Sequence, residues 1–428
     1  MLDIKFVREH PEVVRENLRK RGDLDKIDWI DQLLQDDRSW RDLLTEANNL
    51  RNKRNRLTEE IGRRRKSGAD SSDLVKEAAQ IPDHIKKLET ETAELERRVT
   101  DVLLRLPNII HESVPFGTDE SGNVELKRWG EPAVFSFSPK DHIDLAIGLK
   151  LIDLERAAKV AGARFYYLRG DLVKLNYALI KFALDFIEKK GYTLIQPPYF
   201  LRREAIGGAV ALSDFEDVIY KIQDEDLYLI PTSEHALLAQ HMGEIIDGQA
   251  LPLRYSGISP CFRKEAGAHG RDTKGIFRIH QFEKVEQFVF CKPDSSWIEH
   301  EKMIGNAEEL FQMLKIPYRV VNVCTGDLGI VAAKKYDLEA WFPGQGAYRE
   351  VVSCSNCTTY QAVRSKIRFR EKPDEPTVWI HTLNSTLVAS ERTLIAVMEN
   401  YQTQNGSIMI PEVLQPYMGG ATEIRAAS

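Results

Sequence analysis

Apolar residues in the first quarter of the chain recur at alternating steps of four and three. Leu74, Ala78, Ile81, Ile85, Leu88, Thr92, Leu95, Val99, Val102 and Leu106 form one such series, in which only Thr92 is polar. An earlier series sets Leu33, Trp40, Ala47, Arg54 and Ile61 a heptad apart, with Asp36, Leu43, Leu50 and Leu57 between them, and seven of these nine are apolar. A sustained repeat of this period is a coiled-coil seam. The polar run 62–73, with Gly62, Gly68 and four consecutive basic residues, cannot extend the seam and predicts a turn. Two helices so joined predict an antiparallel intramolecular hairpin. At about 1.5 Å per residue each arm is on the order of 45 Å long, which predicts a projection from a globular body. Pro82 predicts a kink or a restart of the second helix, because proline lacks the amide hydrogen and clashes with the preceding turn. Residues 2–21 predict one short amphipathic helix (Ile4, Val7, Val13, Val14, Leu18), ended by Gly22 at the base of the arm.

The pattern changes near Pro107, beyond which short apolar runs alternate with Gly and Pro turn signals. Residues 176–190 predict an amphipathic helix (Tyr177, Leu179, Ile180, Phe182, Ala183, Phe186), and 192–200 a strand stopped by Pro197 and Pro198. Residues 226–230 predict a short strand leading through Pro231 into Thr232, Ser233, Glu234 and a helix. The densest stretch, 254–290, reads as two strands around a glycine-rich loop (Gly267, His269, Gly270, Arg271, Asp272, Thr273, Lys274, Gly275). If the strands pair, side chains alternate across the sheet. Arg278, His280, Phe282, Lys284 and Glu286 then share one face, as do Arg263 and Glu265. Such a face offers a guanidinium for phosphate, a ring for a base and a carboxylate for an ammonium. The expected fold class is α+β: an arm over 1–107, an antiparallel sheet flanked by helices over 108–414, and a flexible tail over 415–428.

Composition narrows the function classes. With 428 residues, 43% hydrophobic and 29% charged, the chain is neither disordered nor fibrous. No apolar run is long enough to span a membrane, and Asp3, Lys5, Arg8 and Glu9 occupy the positions where a signal peptide is apolar, so a cytoplasmic protein is expected. Five scattered cysteines predict reduced thiols. Cys354 and Cys357 lack a second ligand pair, so no zinc is expected. A net charge of −6 excludes a uniformly basic nucleic-acid binder, yet residues 38–66 hold ten basic residues against four acidic ones. Arg51, Arg54, Arg63, Arg64, Arg65 and Lys66, toward the hairpin tip, are the candidate phosphate contacts. A spacer or dimerisation rod with a solvated surface is the competing reading of the arm.

Phe262-Arg263-x-Glu265, the polar loop, and Gly275-x-Phe277-Arg278-x-His280-Gln281-Phe282-x-Lys284-Val285-Glu286 together resemble motif 2 of class II aminoacyl-tRNA synthetases. The fuller wording is similar to the seryl-tRNA synthetases. Residues 191–198 resemble motif 1, Thr232-Ser233-Glu234 the serine-sensing loop, 350–357 the magnesium strand, and Asn384-Ser385 through Glu391-Arg392 motif 3 without its usual glycines. The resemblance implies a class II catalytic domain that ligates L-serine to tRNA(Ser), and to tRNA(Sec) where present, in two steps through a seryl-adenylate. It implies Arg263 on the ATP α-phosphate, Arg392 on the γ-phosphate, Glu265 at the adenine end and Phe282 stacked on adenine. Lys264, Arg278, Ile279, Val351 and Val352 complete the implied ATP-binding stretches, and Glu350 with Ser353 would bind Mg²⁺. Thr232, Ser233, Glu234, Glu286 and Ser385 are the implied serine-binding residues. His280, Phe277 and Phe288 are expected to be structural. A homodimer formed through motif 1 is implied as well, with the arm gripping tRNA. An adenylating enzyme that charges a carrier protein, and a non-catalytic binding protein with a relic domain, are the two alternatives.

Overall fold

The computed structural model describes residues 1–210, 217–265 and 275–426. Glycine-rich loop residues 266–274 lie outside them. The chain divides into two units, Met1–Pro107 and Asn108–Ser428.

In the first unit, α1 (Ile4–Glu9), α2 (Pro11–Arg21), α3 (Trp29–Lys66) and α4 (Ser72–Arg105) follow one another. The single helix expected over 2–21 is broken at His10, because Pro11 has no amide hydrogen to continue the ladder and instead starts α2. Gly22 closes α2 in the left-handed region at φ 77°. Helices α3 and α4 pack together as the hairpin. The heptad marks its seam: Leu33, Ala47, Ile81, Ile85, Leu88 and Val99 are buried, with Leu103 buried beside the expected Val102.

Two details differ from the sequence reading. Gly62 to Lys66 remain helical, so the turn is confined to 67–71 and the helices are 38 and 34 residues long. A mid-helix glycine costs only about 1 kcal/mol. Pro82 lies inside an uninterrupted α4, where buried Ile81 and Ile85 on either side hold its turn against α3.

The polar seam residue Asp36 is buried, and Arg98 of α4 grips it in a two-pronged ion pair, its Nε donating at 3.0 Å. Much of the basic charge near the tip is also paired. Arg51 meets Glu89 at 2.7 Å, Lys53 meets Glu77 at 2.6 Å, Arg63 meets Glu60 at 2.6 Å, and Arg64 meets both Glu60 and Asp73. Among the described residues, Arg54, Arg65 and Lys66 have no such carboxylate partner.

The second unit is built on an eight-stranded sheet. In spatial order its strands are Val124–Trp129, Tyr318–Asn322, Lys334–Phe342, Ala347–Asn356, His381–Ala389, Gln281–Cys291, Leu253–Phe262 and Thr193–Ile195. Every pair is antiparallel except the last, where Thr193–Ile195 runs parallel to Leu253–Phe262. The strand expected over 192–200 is thus only three residues long, broken off before Pro197. One face is covered by the helices Asp171–Lys189, Ser296–Met313 and Ser390–Asn400. Leu172, Leu175, Leu179, Phe182, Ala183 and Phe186, spaced at three and four, supply the buried stripe of the first of these. A second cluster forms under Ser233–Ala239 and Tyr360–Ser365, against Phe288 and Phe290.

The C-terminal residues are not a flexible tail through Ile424. Ile408–Met409 pairs antiparallel with Glu423–Ile424, Leu414, Met418 and Ile424 are buried, and the Tyr417 hydroxyl donates to Asp185 at 3.0 Å. Its buried apolar residues, Leu414, Met418 and Ile424, are four and six positions apart and follow neither helix nor strand period, which is why the pattern alone does not mark the segment as core. No helix among the described residues is long and apolar enough to cross a membrane.

Candidate active site

The Gln281–Cys291 strand is central to a polar cavity of about 360 Å³. Alternation turns Phe282, Lys284 and Glu286 into the cavity, while Val285 and Val289 enter the core opposite and Gln287 bonds to the Met303 carbonyl at 3.1 Å. Lys284 and Glu286 are buried together with Nζ and Oε2 2.6 Å apart. A buried charge is tolerated only when paired in this way. On the neighbouring strand the register slips at Leu387, so Thr386 faces Glu286 and Val388 faces Val285. Thr386 lies ahead of the slip, directly across from Glu286, and its hydroxyl donates to Glu286 Oε2 at 3.4 Å.

Glu234 approaches from a different element. Thr232 caps the helix Ser233–Ala239 by accepting from the Glu234 amide at 3.2 Å. The helix rests directly on the sheet at Gly257, where a Cβ would come within 2.8 Å of Ser233 Oγ. Gln361 Nε2 donates to Glu234 Oε1 at 2.7 Å, and Asn384 Nδ2 to the same oxygen at 3.2 Å. Burial and the adjacent Glu286 push the Glu234 carboxyl up to about 7, against the pull of Lys284, Gln361 and Arg263.

The other end of the cavity is cationic. Arg263 is fixed by donating from Nε to the Pro231 carbonyl at 3.2 Å, and its guanidinium lies 5.2 Å from the Phe282 ring centre. Arg278 donates to Glu265 Oε2 at 3.0 Å. Arg392, in the first turn of Ser390–Asn400, donates to the Glu350 carbonyl at 3.0 Å and stands 3.6 Å from its carboxylate. Although burial opposes the charge, Arg392, Lys335, Arg263 and Arg278 hold the Glu350 carboxyl below the ordinary range. Glu350 and Ser353 both line the cavity. A carboxylate and a hydroxyl near three guanidiniums form a hard-oxygen donor set suited to a divalent cation that also takes phosphate oxygens.

The expected residues divide accordingly. Thr232, Glu234, Arg263, Glu265, Arg278, Ile279, Phe282, Glu286, Glu350, Val351, Ser353 and Arg392 line one cavity. Ser385 does not: with Leu383 and Leu387 it points to the opposite face of its strand, buried and paired with Gln287, and regular alternation gives the cavity face to Asn384 and Thr386. Val352 is buried in the core by the same alternation, and Ser233 lies under the helix with its hydroxyl toward the Gly257 carbonyl at 3.5 Å. Lys264 contributes a backbone bond, its amide donating to the Val218 carbonyl at 2.8 Å, and is not among the lining residues. His280 bonds to the Tyr220 hydroxyl and the Arg263 carbonyl, a structural role.

Phe277, expected in the core, lines the cavity between Arg392 at 4.8 Å and Arg349 at 4.4 Å. Its backbone neighbour is anchored from behind: His142 Nε2 accepts from the Ile276 amide at 3.4 Å, and buried Glu399 takes the other ring nitrogen at 3.2 Å. Gly275, at φ 82°, is required there because any Cβ would strike the His142 ring. Lys284, Thr386, Asn384 and Glu391 are lining residues that the sequence reading did not assign. The alternation rule already placed Lys284 on the right face.

Comparison with known proteins accords with this geometry. Residues 1–110 match the seryl-tRNA synthetase N-terminal domain, and residues 218–401 the tRNA synthetase class II core domain (G, H, P, S and T). The serine–tRNA ligase of Nitrosopumilus maritimus is 53% identical over 425 residues, covering 99% of this chain and 100% of its own. The crystal structure of seryl-tRNA synthetase from Pyrococcus horikoshii complexed with ATP is similar at a TM-score of 0.94, 52% identity and full coverage of both chains, 100% each. That of the cytoplasmic serine–tRNA ligase from Naegleria fowleri in complex with AMP is similar at 0.88 and 39% identity, covering 100% of this chain and 99% of that one.

Glu391 provides a test of the cavity's electrostatics. It is buried, its Oε2 has no hydrogen-bond partner among the described residues, and burial, only partly offset by Arg392, pushes its carboxyl from the ordinary 4.5 up to about 7. Between those two values the folded protein holds a proton that the unfolded chain has released. This group's contribution to stability is therefore full below about pH 4.5 and is lost as pH rises toward 7. Glu391→Gln should melt progressively higher than wild type as pH is raised from 5 to 7, with a constant gap above that. A difference in Tm independent of pH would refute the assignment.

Proposed function

The chain belongs to the seryl-tRNA synthetases, and from that membership we propose that its cavity joins L-serine to ATP as a seryl-adenylate and then transfers the seryl group to tRNA(Ser), and to tRNA(Sec) where that tRNA is present. The observation that carries the reading is the polarity of one cavity: the half-buried carboxylate Glu234 and the buried Glu286 at one end, and Arg263, Arg278 and Arg392 at the other.

Glu286 accepts the serine ammonium, with Thr386 and Glu234 beside it for the hydroxyl. The serine carboxylate then faces Arg263 and attacks the α-phosphorus of ATP, forming a C–O–P bond as pyrophosphate leaves. A carboxylate nucleophile needs no general base. The barrier is lowered by charge growing on phosphate oxygens opposite a guanidinium already fixed by Pro231 and Phe282, so little reorganisation is required. Phe282 supports the adenine ring, Glu265 and Arg278 close that end, and Arg392 meets the terminal phosphate. Glu350 and Ser353 would hold Mg²⁺, which supplies charge neutralisation on the phosphates when bound. In the second step an acceptor hydroxyl of the tRNA attacks the seryl carbonyl and AMP departs.

The arm serves tRNA binding. Arg54, Arg65 and Lys66 are its first phosphate contacts. Arg51, Arg63 and Arg64 join by exchanging their carboxylate partners for phosphate, since exposed pairs are worth only about 0 to 1 kcal/mol. A second copy of the chain docks where Tyr177, Phe200, Tyr167 and Leu194 stay exposed around the parallel edge strand, an apolar surface of the kind that marks an interface. With the reactants of translation as substrates and five free, buried cysteines, the compartment we infer is the cytoplasm.

ATP–pyrophosphate exchange with each amino acid in turn, followed by tRNA acylation, tests the whole reading: serine alone should support exchange, and exchange driven by another amino acid would overturn it. Glu286→Ala should lower serine-dependent exchange at least about a hundredfold with ATP affinity retained, because Lys284 loses its buried partner and the ammonium its acceptor. An unchanged serine KM would refute that role. Sedimentation should give a mass near twice the 48.9 kDa of one chain, and a mass near a single chain would remove the homodimer. Reversing charge at Arg54, Arg65 and Lys66 should leave exchange intact and flatten the fall of tRNA affinity with salt, by about 0.7 to 0.9 log units per lost contact. Identical slopes would return the arm to a spacer.

A further inference from the structure

The cavity's amino-acid end is braced by a relay that none of the roles above uses. Gln361 is fully buried in the short helix Tyr360–Ser365. A carboxylate only accepts hydrogen bonds, so the nitrogen of the Gln361 amide is the atom that faces Glu234, donating to Oε1 at 2.7 Å. Its oxygen therefore faces the buried Thr382 hydroxyl, which donates to it at 2.7 Å. Asn384 donates to the same Glu234 oxygen at 3.2 Å and to Cys357 Sγ at 3.4 Å. Glu234 Oε1 thus has two donors, whereas Oε2 has no hydrogen-bond partner among the described residues and belongs to a side chain that lines the cavity.

We propose that Gln361 is a positioning residue for amino-acid specificity: anchored by Thr382, it holds one oxygen of Glu234 so that the other is presented to the substrate hydroxyl. This rests on the reading of serine as substrate. A site built to receive a hydroxyl rejects the analogue lacking it, because a buried acceptor is then left unpaired. That penalty operates only if the acceptor cannot turn away, and two donors on Oε1 prevent it from turning. Alanine differs from serine by that hydroxyl alone, so discrimination against alanine reports on the brace.

The brace also governs charge. Glu234 faces Glu286 and Lys284 of one strand, Arg263 just past the end of the next, and the Cys357 thiol. Gln361 is among the groups that oppose the rise of its carboxyl toward 7, so removing the amide moves that ionisation higher still.

The test is ATP–pyrophosphate exchange with serine and with alanine, across pH, for wild type, Gln361→Met, Thr382→Val and Thr382→Ser. Gln361→Met should raise the serine KM at least about tenfold, lower the serine-to-alanine ratio of kcat/KM by a similar factor and shift the acid limb of the serine profile upward, with the ATP KM unchanged. Thr382→Val should move all three in the same direction more weakly, and Thr382→Ser, which keeps the hydroxyl, should restore them. If Gln361→Met does not fold, the Thr382 pair decides by the same readouts. An unmoved ratio and pH limb, or equal losses toward serine and ATP, would overturn the inference while wild-type serine exchange leaves the function standing. Wild type without serine-dependent exchange would overturn the function and the inference with it.

Discussion

The antiparallel ladder joining Leu253–Phe262, Gln281–Cys291 and His381–Ala389 is the constraint from which the catalytic unit follows. Its central strand is buried on both faces yet carries Lys284 and Glu286, two residues that a nonpolar interior does not accept singly. Period-two alternation resolves the conflict by sending both charges to one side and Val285 and Val289 to the other. A slip of one residue would bury both charges in the aliphatic core and turn two valines toward the cavity. Register is thus specified by two opposite penalties, and the same register that protects the core assembles the site. The remaining groups arrive at the open end of this ladder: Glu234 on a helix seated against Gly257, and Arg392 at the start of the helix that follows the third strand.

That last helix has a double attachment. Arg392 and Glu399 are seven residues apart on Ser390–Asn400, so they lie on nearly the same face. One stands over the Phe277 ring, and the other holds His142 against the Ile276 amide. Residues 275–278 leave the glycine-rich loop and enter the cavity wall between these two fixtures. One rigid helix thus fixes the Arg392 side of the cationic end, while Pro231 and Glu265 fix Arg263 and Arg278.

Much of this was legible because it depends on local periodicity. The heptad marks the seam of both long helices, and alternation alone puts Phe282, Lys284 and Glu286 on one face. The misses have physical causes of other kinds. Gly62 faces open space and is tolerated at a cost of about 1 kcal/mol, and exposed Pro82 is carried in its helix by buried Ile81 and Ile85 beside it, a tertiary gain that propensity does not register. Thr386 rather than Ser385 reaches the cavity because the pairing with Glu286 gives that face to Asn384 and Thr386, a parity set by how the strands pair and not by residue type. Phe277 is buried in the core as expected, and its second contact, with the cavity, arises ahead of the first paired residue of its strand, where alternation has not begun. Gln361 meets Glu234 across 127 positions of sequence, a contact created by folding alone.

A seam made only of aliphatic side chains is indifferent to translation by one heptad, since leucine in the next hole packs nearly as well. The pair between Asp36 and Arg98 removes that freedom. Sliding either helix by one repeat would part Asp36 from Arg98 and leave the buried carboxylate with Gln32 of its own helix as its one remaining donor among the described residues. The hairpin accordingly has a zero mark: with the pair engaged, the number of turns from it to the loop at 67–71 is set by covalent length alone. Insertions or deletions of whole heptads beyond that mark would lengthen or shorten the arm without disturbing its alignment, so evolution can recalibrate its reach one notch at a time.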